Sequence, residues 1–278
     1  MTKKVKKLKL GKIIVLLLLS LGAVTMIFPF IWMLLSSLKG QMELLRMPPT
    51  FWPERFRWEN YKKVLEAIPF FKYFANSLIT ALVNTFAGIM TSALAGYVFA
   101  KYKFKAKEFI FWVMIACMMI PYDTLIIPLY KIMVRLHWTN TYLVLTIPFF
   151  VNIFGLFMMR QFMESIPDDY IEAAEIDGCG QYKTFFKVVL PMVKPAAAAL
   201  FIFIFMGSYN SFLWPLINVN SRELFTLPIG MASLTTDKKS EFELLMAAST
   251  MAVVPVFGVF CVAQKHFVAG LTMGGVKG

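Results

Sequence analysis

The sequence predicts an all-α, polytopic membrane protein with six transmembrane helices. Of its 278 residues, 59% are apolar and only 16% are charged, and the mean hydropathy is +0.67. A water-soluble domain has too little polar side chain to cover such a core. The apolar residues fall in blocks of about twenty, enough helix to cross a hydrocarbon core of about 30 Å. We therefore expect one transmembrane domain over residues 1–278.

Six apolar blocks meet this length requirement. In chain order they are residues 13–35, 74–100, 109–130, 142–163, 196–219 and 244–267. The third block is interrupted by Pro121, Asp123 and Pro128. Neighbouring helices can satisfy the backbone groups that a proline leaves unpaired, so a single kinked span is expected there.

Basic segments between the blocks predict the orientation. Lysines cluster before the first block and again between the second and third blocks, at Lys3, Lys4, Lys6, Lys7, Lys9, Lys12, Lys101, Lys103, Lys105 and Lys107. Such segments stay in the cytoplasm, so both termini are expected there, with residues 39–72 outside. The first apolar run is too long for a typical signal peptide, which favours a retained anchor. The net charge of +12 is then explained by basic residues that set the orientation in the membrane, and it does not indicate nucleic-acid binding.

Several kinds of site are not expected from the sequence. The three cysteines, Cys117, Cys179 and Cys261, are odd in number and widely spaced, which predicts neither a disulfide framework nor a metal site. The motifs of metalloproteases and serine hydrolases are missing, and so is a phosphate-binding loop for ATP. We therefore expect no catalytic residue, metal or cofactor in this chain. A secondary transporter, a less favoured alternative, would show inverted repeats or several intramembrane charges.

The polar stretch between the fourth and fifth blocks predicts a helical hairpin. Ser165, Pro167 and two acids have the order of a helix start, with the hydroxyl as the cap. A first helix is expected to about residue 177, followed by a turn at Gly178 and Gly180. A second helix is expected over 181–190, ended by Pro191. Its aromatic and aliphatic residues Tyr182, Phe185, Phe186 and Val189 are predicted to lie near one face.

This stretch resembles the EAA loop of ABC importer permeases. The match comprises Glu172, Ala173, Ala174, Gly178, Val188, Leu190 and Pro191 at the spacing of that motif, with Val188 replacing the commoner isoleucine. Further segments are similar to the carbohydrate-uptake, maltose-type permeases. They are Met119-Ile120-Pro121, Phe212-Leu213-Trp214-Pro215 and the glycine-rich end 270–278. Tyr209-Asn210-Ser211 departs from the Trp-Asn-Asp common in relatives, so no role of that acid can be carried over.

The resemblance implies type I ABC importer permease architecture in a bacterial or archaeal cytoplasmic membrane. It implies that loop 165–195 couples transport to an ATPase, through Glu172, Ala173, Ala174, Asp177, Gly178, Leu190 and Pro191. The tail 268–278 would also contact the ATPase, through Gly274, Gly275 and Lys277. The implied partners are a second, different permease, an ATPase dimer that binds ATP and Mg, and an extracytoplasmic sugar-binding protein. An importer of amino acids or phosphate stays open as an alternative.

Polar residues within the blocks are candidates for a substrate pathway. They are Asn84, Asp123, Tyr209, Asn210, Trp214 and Asn218. Amides and aromatic rings suit sugar recognition, but the same side chains also join helices or anchor them at the membrane interface. Asp123 is expected to face water, a partner or the bundle interior because a charge in lipid is costly. Both interpretations stay open, and the sequence does not indicate which sugar is moved.

Overall fold

The computed structural model describes residues 10–236 and 239–275, and this part of the chain is almost entirely helical. The first eight helices are α1 (Leu10–Ser36), α2 (Gln41–Leu44), α3 (Glu59–Ala67), α4 (Phe70–Lys101), α5 (Lys107–Cys117), α6 (Tyr122–Arg135), α7 (Tyr142–Thr146) and α8 (Ile153–Glu164). The others are α9 (Asp169–Ile176), α10 (Gln181–Thr184), α11 (Leu190–Met192), α12 (Lys194–Tyr209), α13 (Leu213–Asn218), α14 (Leu227–Ala232) and α15 (Phe242–Gly275). A π turn (Phe185–Val189) joins α10 to α11, and short 3-10 turns cover Ile147–Phe149 and Arg222–Leu224. Two antiparallel two-residue strands, β1 (Thr235–Thr236) and β2 (Lys239–Ser240), complete the description.

One compact unit contains residues up to Ile68 together with Met231–Val253. Its long helix α1 exposes nearly all of its apolar side chains, as a helix that faces lipid does. Directly after α1, the buried Lys39 donates to the carbonyl of Thr50 and lies 4.9 Å from the ring centroid of Trp32. These contacts hold the following loop against the end of α1.

The second unit comprises Pro69–Gly230 and the chain from Val254 onward, and its core is formed by α4, α8 and α12. A glycine permits the close approach of α4 to α8. A Cβ added at Gly96 would lie 2.7 Å from the Cβ of Met159 and 2.9 Å from the backbone nitrogen of Arg160. Small residues at such crossings allow helix backbones to come together in membranes.

Contacts along α4 give the direction of its neighbours. The hydroxyl of Tyr142 donates to Asn76 at 2.6 Å, and Lys101 donates to the carbonyl of Ile166 at the other end of α4. The chain from Tyr142 to Ile166 therefore runs parallel to α4. Asn76 also donates to the carbonyl of Phe225 at 2.9 Å, so the loop after α13 lies at the Asn76 end. The hairpin that follows α8 lies at the Lys101 end.

All six predicted blocks overlap helices. Among the described residues, Gly11–Ser36, Phe70–Lys101 and Tyr142–Glu164 are each long and apolar enough to cross a membrane. Up to five segments qualify if each of two bent helix pairs counts as one, so the number six stays a prediction. Phe242–Gly258 is a shorter apolar segment.

The third block contains two helices, and whether they form the single kinked span expected from the sequence or two half-spans stays a prediction. Helices α5 and α6 meet at 98° across a four-residue break. The break ends at Pro121, which precedes the first residue of α6, and the fixed φ and missing N–H of proline suit that position. Pro128 lies within α6 and does not end it.

Candidate functional site

The loop after α8 folds as a helical hairpin whose turn requires glycine. Helix α9 ends at Ile176, and the N–H of Cys179 then donates to the carbonyl of Ala174 at 2.9 Å. The N–H of Gly178 donates to the carbonyl of Glu175, also at 2.9 Å. This pair of bonds is the Schellman helix ending, which needs a left-handed residue, and Gly178 has φ +75°. The predicted helix and turn are confirmed. A glycine is needed at this distance from the helix start because the residue after the helix end has a left-handed backbone conformation.

The second half of the hairpin is longer than predicted. The helix passes Pro191 and continues to Met192, so the predicted end at Pro191 is wrong. The preceding π turn opens the backbone where the ring of Pro191 would otherwise crowd the carbonyl of Lys187. The chain instead bends by 78° after Met192, and α12 begins at Lys194.

Of the four residues predicted to lie near one face, two are buried and two are exposed. Phe185 and Val189 are buried, and the ring of Phe185 lies 5.4 Å from that of Tyr97 on α4. Tyr182 is 81% exposed and Phe186 is 47% exposed. The contact between the hairpin and the bundle is centred on Phe185. The rings of Tyr182 and Phe186 lie outside this contact and face solvent.

Large apolar side chains lie on the outer side of the hairpin. We define the exposed loop surface as Tyr170, Ala173, Ile176 and Tyr182, all exposed to solvent. Ile176 is 86% exposed, although it is as apolar as any core residue. Exposed apolar surface rimmed by polar residues is typical of protein–protein contact sites. The acids along its rim are Glu172, Glu175 and Asp177, which are also exposed.

The seven predicted coupling residues do not share one environment. Five of them are exposed: Glu172, Ala173, Asp177, Gly178 and Pro191. Ala174 is buried, and Leu190 is half-buried against the core of α4, α8 and α12. The two alanines therefore have different surroundings. Ala174 lies on the buried side of α9, while Ala173 belongs to the exposed loop surface.

A lysine at the end of α4 fastens the start of the hairpin. The buried Nζ of Lys101 lies 2.6 Å from Oδ1 of Asp168, the residue that precedes α9, and also donates to the carbonyl of Ile166. The hydrogen bond and the charge of Lys101 hold the pKa of Asp168 below its ordinary value. Ser165, predicted as the helix cap, instead donates to the carbonyl of Phe162 at 2.7 Å. The hairpin is thus attached to α4 by an ion pair.

The sequence interpretation missed a second ion-paired cluster, which is centred on Arg160 in α8. Its Nη2 lies 2.9 Å from Glu108 at the start of α5, and its Nε lies 2.7 Å from Glu164. The guanidinium also lies 3.8 Å from the ring centroid of Phe111. An arginine inside an apolar block, with an acid four residues later, was the available signal. Helices α5 and α8 are therefore linked at the hairpin end of the bundle.

The predicted pathway residues lie in different surroundings. Asn84 and Trp214 line a cavity of about 230 Å³ in the middle of the bundle. Asp123 lines a second cavity of about 710 Å³, which Trp214 also borders. Tyr209 is buried with its ring 5.7 Å from that of Phe205.

Trp214 joins two parts of the chain, because its indole N–H donates to the carbonyl of Val144 at 2.8 Å. Asn218 donates to the carbonyl of Trp214 at 3.0 Å, a bond within the same helix. Asn210 is exposed at the end of α12. The six candidates therefore do not form one site. The joining role left open for such side chains applies to Trp214.

Apolar helices around interior cavities, with an exposed hairpin fixed to one end of the bundle, define a membrane subunit that docks on a partner. Residues 88–272 match the family described as binding-protein-dependent transport system inner membrane component. The chain belongs to this family, and it is a membrane permease rather than an enzyme.

Relatives cover nearly the whole chain. It is 37% identical over 255 residues to the arabinooligosaccharides transport system permease protein AraQ of Halalkalibacterium halodurans, with 91% of each chain covered. It is 32% identical to the lactose transport system permease protein LacG of Rhizobium radiobacter, with 93% of this chain and 94% of that protein covered.

The fold also matches a solved structure. A chain in the crystal structure of a bacterial ABC transporter involved in the import of the acidic polysaccharide alginate superposes with a TM-score of 0.79. The match covers 92% of this chain and 96% of that chain at 22% sequence identity. The all-helical permease architecture is thereby confirmed.

Proposed function

We propose that this chain is the permease subunit of an ATP-driven importer of carbohydrates, of the oligosaccharide class. The observation that carries the proposal is the hairpin, which presents an apolar surface outward while the Lys101–Asp168 ion pair holds it to α4. The substrate class is supported by the names of the relatives, which transport arabinooligosaccharides, lactose and diacetylchitobiose.

In this proposal the hairpin transmits movement from a cytoplasmic ATPase dimer, which binds the ATP and Mg. The exposed loop surface inserts into the ATPase, and closure of the dimer displaces the hairpin. Lys101 passes the displacement to α4. The hairpin follows α8 directly in the chain, and Arg160 links α8 to α5. A rigid contact of this kind can bias a bundle between two arrangements, one open to each side of the membrane. Glu172 and Gly178 then couple the subunits rather than catalyse.

The remaining partners complete the importer. A second, different permease would pair with this chain, and an extracytoplasmic sugar-binding protein would deliver the substrate. Both termini of this chain would lie in the cytoplasm. The tail would supply a second ATPase contact near Gly274 and Gly275, where helix α15 ends. Lys277, the third predicted tail residue, lies outside the described residues.

Reconstitution tests the proposal. The chain would be expressed with its partner permease and ATPase, purified, and placed in liposomes with the binding protein on one side. We expect copurification of the ATPase and ATP-dependent uptake of a labelled arabinooligosaccharide, lactose or diacetylchitobiose. Uptake of an amino acid or phosphate, with none of the three sugars taken up, would show that the proposed carbohydrate substrate is wrong. Uptake by the purified chain without ATP or partners would contradict the importer mechanism.

A further inference from the structure

The 230 Å³ cavity, here called the central cavity, lies where the helices around it are interrupted. Asn84, on one wall, is near the middle of the 32-residue helix α4. Another wall contains Phe149, in the 3-10 turn before α8. Ser211 lies in the break between α12 and α13. Interrupted helices at mid-membrane depth are where transporters commonly bind their substrates, because backbone polar groups are free there.

Two side chains of the central cavity carry a polar atom that lacks a hydrogen-bond partner. The amide of Asn84 donates to the carbonyl of Leu145 at 3.0 Å and to Oγ of Ser208 at 2.9 Å. These contacts fix the amide, and its Oδ1 has no partner within the described chain. The hydroxyl of Thr226 is likewise unpartnered there. Both residues are at least nine-tenths buried, where an unpaired polar atom is destabilising.

The walls of the central cavity suit a neutral, hydroxyl-bearing ring. Its further polar groups are hydroxyls and an amide, on Thr80, Ser208, Ser211 and Asn152. Its aromatic groups are Phe149, Phe203 and Trp214. Among the described residues, no acidic or basic side chain lines it. Specific pockets combine apolar walls with a few placed polar groups in this way, and the missing charge disfavours an ionic ligand.

The size of the central cavity agrees with a single ring. At about 30 Å³ for each water molecule, its volume corresponds to roughly seven or eight waters. A monosaccharide ring with its hydroxyls has about as much bulk, whereas an intact oligosaccharide would have to pass ring by ring.

We propose that the central cavity binds one neutral sugar ring of the transported chain, with Asn84 Oδ1 accepting and the Thr226 hydroxyl donating or accepting a hydrogen bond. This subunit then holds a substrate contact of its own, in addition to any in the partner permease. The inference rests on the proposed function, because it assigns a place to the sugar that the importer moves.

Thr226→Val tests the contact without disturbing the fold. The exchange keeps the shape and removes a hydroxyl that has no partner in the described chain, so folding is expected to be unaffected. In the reconstituted importer, sugar moved per ATP hydrolysed should fall roughly three- to tenfold, as for one lost hydrogen bond. The matched control is Thr85→Val, a buried α4 hydroxyl bonded to the carbonyl of Ala81 outside the cavity. It should import like the wild type.

A second variant fills the central cavity. A Cβ added at Gly207, which lines the cavity, meets no atom within 4 Å, so Gly207→Leu enters open space. We expect sugar uptake to fall at least tenfold, while ATPase copurification and ATP hydrolysis without substrate persist. Wild-type uptake by both Gly207→Leu and Thr226→Val would overturn the site and leave the importer function standing. Failure of the wild-type importer to move any of the three sugars would overturn the proposed function and the sugar assignment together.

Discussion

Replacing Gly178 by alanine tests whether the turn of the hairpin sets the geometry of docking. Gly178 has φ +75°, and a Cβ built there meets no heavy atom within 4 Å. The variant therefore adds no clash within the described chain, only the strain of an L-residue in a left-handed conformation, about 1–2 kcal/mol. Such a cost lowers the ratio of native to non-native turn about five- to thirtyfold, which sets the upper limit of its effect on binding. Gly180→Ala is the matched control, because Gly180 has φ −70° and also faces open space.

The assay is the affinity of the purified ATPase for the permease pair in lipid nanodiscs. Gly178→Ala should raise the Kd, by at most about five- to thirtyfold, and should slow uptake. Gly180→Ala should bind like the wild type, because alanine is unstrained at that φ. A wild-type Kd for Gly178→Ala would refute a conformational role for Gly178. Equal losses would instead assign the effect to added bulk on the hairpin.

Three further predictions concern the contacts that fasten the bundle. Gly96→Ala should destabilise the protein by about 1–3 kcal/mol, measured by thermal unfolding in detergent, because its Cβ would overlap α8. Glu108→Gln should destabilise by about 1–2 kcal/mol because it removes one of the two acids paired with the buried Arg160, whereas Arg160→Met should be nearly neutral. The third uses pH: Lys101 lowers the pKa of Asp168 from 3.8, so this pair stabilises the folded state above about pH 4. That contribution should be lost as the pH falls through the lowered pKa, and Asp168→Asn should remove this part of the acid sensitivity.

Each of these predictions has a control. Gly207→Ala adds a methyl group to open space in the same core unit and should be tolerated, unlike Gly96→Ala. Equal destabilisation by Glu108→Gln and Arg160→Met would show that the link itself, and not the buried charge, is what matters. An acid unfolding curve of Asp168→Asn that parallels the wild type at every pH would show that its pair with Lys101 contributes nothing to folding.

Local chemistry accounts for what the sequence predicted correctly. The helix ending at Gly178 depends on bonds between residues within one turn of each other, so a glycine at that spacing was sufficient. The apolar blocks depend on composition alone, and helices occur at all of them. The docking interpretation of the hairpin rested on motif spacing, which the exposure of Ile176 and Tyr182 now supports.

The features that the sequence did not reveal depend on distant partners. Arg160 is paired with Glu108 from another helix, and nothing near Arg160 in sequence identifies that acid. Tyr182 is exposed because Phe185 is the residue that packs on Tyr97. The π turn also changes which residues share a face, and the period of a regular α-helix does not predict it. The break in the third block falls before Pro121 and not at Pro128, since a proline suits a helix start without necessarily ending a helix.

The central cavity could not be predicted from the sequence either. Asn84 was a candidate because of its residue type, but its amide is fixed by Ser208 and Leu145, and its neighbour Thr226 carried no motif. Trp214 was a candidate on the same grounds, and its indole instead joins α13 to α7 through the carbonyl of Val144. Residue type alone could not separate these two uses.

The central claim is that ATP drives sugar import through the exposed loop surface. It is tested most directly by ATP-dependent oligosaccharide uptake into proteoliposomes that contain either the wild-type importer or the Ile176→Asp, Tyr182→Asp double variant. Both side chains point away from the bundle, so folding and pairing with the second permease should persist. The account predicts that the double variant loses ATPase association and uptake together. Wild-type uptake by the double variant, with its ATPase still bound, would contradict it.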